Sequence, residues 1–116
     1  MSTPAQYRKK PVVVEALQWT GDNAEDLAEW ATMPCHGAIP GSEAICFVPM
    51  DDDEILDTVG ATRYDEFRRV GATAALWVDA NQNWLPIEDG EWVAKDRRGF
   101  YPIKNDVFAE TYEPVP

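Results

Sequence analysis

The stretch AALWVDANQNWLPIEDGEWVAKDRRGFYPI, residues 74–103, decides the fold. Ala74 to Val78 and Trp84 to Ile87 are short runs rich in strand-forming residues. The polar Asp79-Ala80-Asn81-Gln82-Asn83 between them reads as a hairpin connection. Glu88-Asp89-Gly90 makes a second turn, followed by a strand from Glu91 to Lys95. Asp96-Arg97-Arg98-Gly99 turns the chain once more, and Phe100 to Ile103 pairs back. Connections this short require antiparallel neighbours, because a parallel pair needs a crossover of about a dozen residues.

Outward from this core, Val12 to Trp19 carries three consecutive β-branched residues and apolar groups on both sides, which predicts a strand inside the sheet. Thr20-Gly21 breaks it. Asp22 is placed to cap a helix, with Glu25 completing a capping-box spacing. Ala24, Leu27, Ala28 and Ala31 form its apolar face, with Trp30 at the edge, and Pro34 ends it. Pro34 to Ser42 reads as a loop and Ala44 to Val48 as a short strand. Ile55 to Arg69 suits short helical pieces around Gly60. Beyond the decisive stretch, Asn105 to Phe108 suits one helical turn, and Thr111 to Val115 an added edge strand. The expected class is α+β: a small, mostly antiparallel sheet with one clear α-helix packed on it. Residues 1–10 form a polar leader and residues 11–116 a single domain whose middle, about 34–72, is acidic.

Composition narrows the function. In 116 residues there are 21 Asp and Glu against 10 Lys and Arg, for a net charge of -11. Residues 1–20 are net basic at +2, residues 21–70 carry -9 and residues 71–116 carry -4. An acidic field repels phosphates and anionic membranes and attracts basic partners, so direct nucleic-acid binding is not expected. No apolar run approaches the ~20 residues of a membrane span, and the N-terminus lacks the apolar region of a signal peptide. A soluble, intracellular protein is the expectation.

Motifs for chemistry are scarce. Cys35 and Cys46 make no disulfide framework or Cys-x-x-Cys pair. Cys46 reads as a small buried residue, and Cys35-His36 as a loop pair, one His and two Cys giving at most an incomplete zinc site. Asp51-Asp52-Asp53-Glu54 reads as a solvated acidic turn, since successive carboxylates cannot easily converge on one ion. Asp79, Asn81 and Asn83 match the opening of a calcium loop, but Trp84 and Gly90 stand where its Gly and Glu belong. No cofactor, metal or catalytic set is expected. Five tryptophans are the notable excess. Core packing accounts for most of them, and Trp77, Trp84 and Trp92, with Arg97 and Arg98 on an adjacent turn, remain candidates for contact with a partner or an anionic nucleotide.

Two segments carry a resemblance. Tyr7-Arg8-Lys9-Lys10-Pro11-Val12-Val13-Val14-Glu15-Ala16 and Gln18-Trp19-Thr20-Gly21 resemble the opening, "YRKKPVVIEA" then "QWTG", of a small protein family of tailed phages and prophages. Asp89-Gly90-Glu91-Trp92-Val93 and Gly99-Phe100-Tyr101-Pro102-Ile103-Lys104-Asn105-Asp106-Val107-Phe108, then Thr111-Tyr112-Glu113-Pro114, are similar to its close, "PGDWIIKGVKGEFYPCKPDIFEKTYE". Ile103 replaces the family's Cys, Asn105 its Pro, and Glu88-Asp89-Gly90-Glu91 its Pro-Gly-Asp turn. The middle has no counterpart. The resemblance implies a phage origin and, since the family has no assigned activity, no catalytic residue.

Together these readings predict a phage-encoded accessory protein, not an enzyme, that acts in the host cytoplasm. It binds and modulates a host protein through residues 34–72, Asp51, Asp52, Asp53 and Glu54 among them, and exposed aromatics. The alternatives are a binder of a nucleotide signal, in a pocket of Trp77, Trp92, Arg97 and Tyr101, and a minor virion component. An exposed edge strand or surface Trp could also pair two copies into a homodimer.

Overall fold

The structure, a computed structural model, describes residues 2–8, 12–34 and 43–116. The readings of Lys9, Lys10 and Pro11, of Cys35-His36 and of the loop through Ser42 fall outside these residues. The expected class holds: among the described residues eight strands form three antiparallel sheets, with short helices between and after them.

Strand β5 (Ala74–Val78) is the pivot, pairing with β6 (Asn83–Ile87) in the hairpin and with β4 (Phe47–Pro49) on its other side. The hairpin register sets Trp77 opposite Trp84. Its connection is a 3-10 turn over Asp79–Asn81 that ends at Gln82 with φ 51°. A second sheet joins β7 (Trp92–Asp96) to β8 (Gly99–Ile103) on one side and to β1 (Glu15–Gln18) on the other.

The period-2 pattern of β5 explains why two cores form. Ala74, Leu76 and Val78 pack with Trp19, Leu27, Phe47, Ile87, Val93 and Phe100 in the main core. Ala75 faces the opposite way, into a smaller cluster with Ile55, Val59, Phe67 and Ala72. Helices α2 (Ile55–Val59) and α3 (Ala61–Arg69) cover that second cluster and break at Gly60, where φ is 87°.

Several expectations need correction. The N-terminal strand is shorter than Val12 to Trp19 and lies at the edge of its sheet, not inside it. Only one face finds a core, through Leu17, while Val12 and Val13 stay exposed. The first helix, α1 (Ala24–Trp30), starts at Asn23 without a side-chain cap. The Asn23 side chain instead accepts from the Thr20 N–H at 3.0 Å and donates to the Gln18 carbonyl at 2.8 Å, tying the turn back to β1. That commitment defeats the capping-box spacing of Asp22 and Glu25.

Pro34 does not end α1. The helix stops at Trp30, and Thr32–Pro34 forms β2, paired with β3 (Glu43–Ile45). Ala44 to Val48 is not one strand: it divides at buried Cys46, whose N–H donates to the Ala31 carbonyl and whose carbonyl accepts from Trp77, both at 2.7 Å. More than one helix packs on the sheets. The C-terminal turn lengthens to α4 (Asn105–Thr111), and no strand follows it in the residues after Thr111.

Candidate functional site

A broad cleft opens between the β1–α1 turn and the surface made by β4 and α3, with a volume of about 870 Å³. Its wall is built by local chemistry. Gly21 sits at φ 92°, a conformation unfavourable for other residues, and lies so close to Asp89 that an added Cβ would stand 2.7 Å from its carboxylate. The Trp19 indole N–H donates to the Thr73 hydroxyl at 2.8 Å, and that hydroxyl donates to Asp89 at 2.7 Å. The relay holds one carboxylate at the cleft while its Trp19 end is buried at 2% exposure against Phe47, ring centres 4.9 Å apart.

Around the same cleft stand Asp22, Glu25 and Asp26 from the start of α1, and Asp51 from the turn after β4. Among the described residues Arg68 is the one basic member of the lining, and its guanidinium lies over the Tyr64 ring at 5.7 Å from the centroid. Five carboxylates facing a shared opening produce a negative potential that favours an ammonium or guanidinium group.

The acidic run from Asp51 to Glu54 is an exposed turn, as read from sequence. Asp52 accepts from the Glu54 N–H at 2.8 Å, leaving Asp51 as the member that reaches the cleft. Among the described residues no group of three or more His, Cys, Asp or Glu is placed to hold a metal ion.

The candidate aromatics and arginines are dispersed. Trp77 and Trp84 meet edge-on at 5.6 Å and line a small cavity of about 140 Å³ with Met33, Ile45 and Cys46. Trp92 belongs elsewhere, stacked on Phe108 at 4.0 Å with its indole N–H on Asn105 at 3.0 Å. Arg97 and Arg98 are exposed on the β7–β8 turn, and Arg98 borders a third cavity with Tyr101. Burial first, then a hydrogen bond with Tyr112, pushes the Tyr101 phenol up to about 12. Trp77, Trp92, Arg97 and Tyr101 therefore do not share one of these cavities.

A further charged cluster closes the β6–β7 turn. Glu91 is 6% exposed and meets Lys104 at 3.3 Å, while Glu88 meets the same ammonium at 3.5 Å. Slight burial pulls the Lys104 pKa down, but Glu91 and Glu88 outweigh it and leave it raised.

Sequence reasoning missed the assembly of the cleft. In sequence Asp22 and Glu25 read as a capping box and Asp89 as part of a turn, and nothing local joins them to Asp26 or Asp51. The i, i+4 spacing of Tyr64 and Arg68 was the one local signal of its aromatic wall.

No family model matches the chain, and no solved structure matches it. A mycocerosic acid synthase-like polyketide synthase of Mycobacterium tuberculosis is 29% identical over 107 residues, 91% of this chain. The chain spans about 5% of the length of that protein.

Proposed function

We propose that this chain is a phage-encoded accessory protein that acts in the host cytoplasm by binding a basic surface of a host protein and modulating or blocking it. The acidic cleft carries the reading: Asp22, Glu25, Asp26, Asp51 and Asp89 converge from three separate parts of the chain on one opening of about 870 Å³. A protruding Lys or Arg of a partner fits the charge of that opening, and its volume admits more than one such side chain. The scattered positions of Trp77, Trp92 and Arg97 favour this over a nucleotide pocket.

The test is a tagged pull-down from host lysate, washed at low and high salt, with the bound proteins and small molecules identified by mass spectrometry. A stoichiometric host protein released at high salt is expected, because screening weakens exposed charge pairs. Exchanging Asp22, Asp51 and Asp89 together for Ser removes pairs of about 0.2–1 kcal/mol each, so affinity falls by roughly tenfold. Retained binding in that variant refutes the cleft as the contact, and a bound nucleotide without protein transfers the assignment to the Trp and Arg residues.

A further inference from the structure

Away from the acidic cleft, β1 leaves one edge of its sheet without a strand partner among the described residues, the order being β1-β7-β8. The backbone phase of that edge follows from the Trp19 N–H, which donates to the Glu91 carbonyl at 2.9 Å. Odd-numbered residues of this segment thus turn their N–H and C=O groups toward β7, and even-numbered residues turn theirs outward. The Gln18 carbonyl, pointing outward, is met by the Asn23 side chain at 2.8 Å. Among the described residues no strand covers Ala16, nor Val14 and Val12 just upstream of β1, where the same alternation carried on would turn their backbone groups outward.

Beside this edge runs an apolar groove of about 340 Å³. Trp92, Phe108 and Tyr112 form a continuous stack, with ring centres 4.0 and 5.0 Å apart, and all three line the groove. Val12, Val13 and Val115 also line it and are 61%, 80% and 70% exposed. An unpaired edge with three exposed valines and an aromatic groove beside it is a template for a further strand.

We propose that the strand is the same segment of a second copy, paired antiparallel about a two-fold axis at Val13. The edge is self-complementary, because it supplies both the valines and the groove that covers them, and such an isologous contact closes at two copies. Centred on Val13, the register sets Val12 opposite the second copy's Val14 as a hydrogen-bonded pair and Val13 opposite its own equivalent as a non-hydrogen-bonded pair. It asks no N–H of position 11, which is proline in the sequence.

Charge selects the same occupant. The leader is basic in sequence through Arg8, Lys9 and Lys10, whereas Glu113 lines the groove, and Glu15 of β1 and Asp106 and Glu110 of α4 belong to the elements that supply other lining residues. A local match of basic leader to acidic margin offsets the repulsion between two chains of charge -11.

Sedimentation equilibrium of the full chain reads the outcome. The wild type is expected to reach twice 13.0 kDa with rising concentration. Val13→Lys, at a side chain already in water, sets two like charges face to face and weakens the dimer at least about tenfold, while the thermal melt at concentrations where both chains are monomeric stays unchanged. In a Cys35→Ser background, Val13→Cys is expected to form a covalent dimer on mild oxidation, its two Cα atoms lying about 4.5 Å apart in a non-hydrogen-bonded pair. Val70→Cys, also exposed and set at the C-terminal end of α3, is not. A wild type that stays monomeric to on the order of 1 mM overturns the proposal, including the case in which another protein's strand fills the edge. So does a Val13→Lys chain that dimerises like the wild type, or a Val70→Cys chain that cross-links as fast as Val13→Cys.

Discussion

Replacing Trp19 with Phe tests whether the relay from Trp19 through Thr73 to Asp89 ties the cleft to the core. The phenyl ring keeps the edge contact to Phe47, but three ring atoms and one hydrogen bond disappear. Lost burial and the residual void cost about 2 kcal/mol, and the hydrogen bond about 1 kcal/mol. For 116 residues the unfolding entropy is about 0.24 kcal/mol/K, so a loss of about 3 kcal/mol lowers Tm by about 12 °C. Thr73→Val leaves the indole N–H without its acceptor and Asp89 without its donor, at about 2 kcal/mol. In the double variant the indole donor is already gone, so its total comes to about 4 kcal/mol, not 5, a coupling of about 1 kcal/mol. Urea unfolding followed by far-ultraviolet circular dichroism measures all four chains without relying on tryptophan emission. A coupling within about 0.3 kcal/mol of zero would show that the two residues act independently and refute the relay.

Gly21→Ala combines positive-φ strain with a Cβ pressed on Asp89, whereas Gly90→Ala, at φ 95° with nothing within 4 Å, carries the strain alone. Calorimetry should place the first about 1 kcal/mol below the second, roughly 4 °C in Tm, and equal melts would mean that Asp89 moves aside at no cost. The raised phenol of Tyr101 predicts an alkaline loss of stability. Its folded-state pKa of about 12 lies above the ordinary value of 10.0, so the contribution is complete below about pH 10 and disappears as pH rises from 10 toward 12. Tyr101→Phe should flatten that part of the stability–pH curve, and an unchanged slope would place the alkaline transition on other groups.

Trp19, Asp89 and Val12 show where sequence reading succeeded and where it stopped. The turns at Gly21, Gly90 and Gly99 were legible, because each needs a backbone conformation that glycine alone adopts readily. The hairpin and the break at Gly60 were legible for similar local reasons. The position of β1 was not: three valines look the same beside one strand or between two, and only the pairing of Glu15–Gln18 with β7 leaves the other edge open. The division at Cys46 likewise depends on partners from distant segments, Ala31 and Trp77.

By itself the sequence determined the α+β class, the antiparallel pairing of the C-terminal strands and the acidic charge of the middle segment, since turn chemistry, hydrophobic period and ionisation are properties of neighbouring residues. Tertiary structure alone decided that Asp22, Asp51 and Asp89 share one cleft, that Trp77 and Trp92 occupy different ones, and that β1 borders an open groove. The reason is the sheet order, which places residues 20 to 70 positions apart within reach of one another, a distance over which no local pattern in the chain carries information.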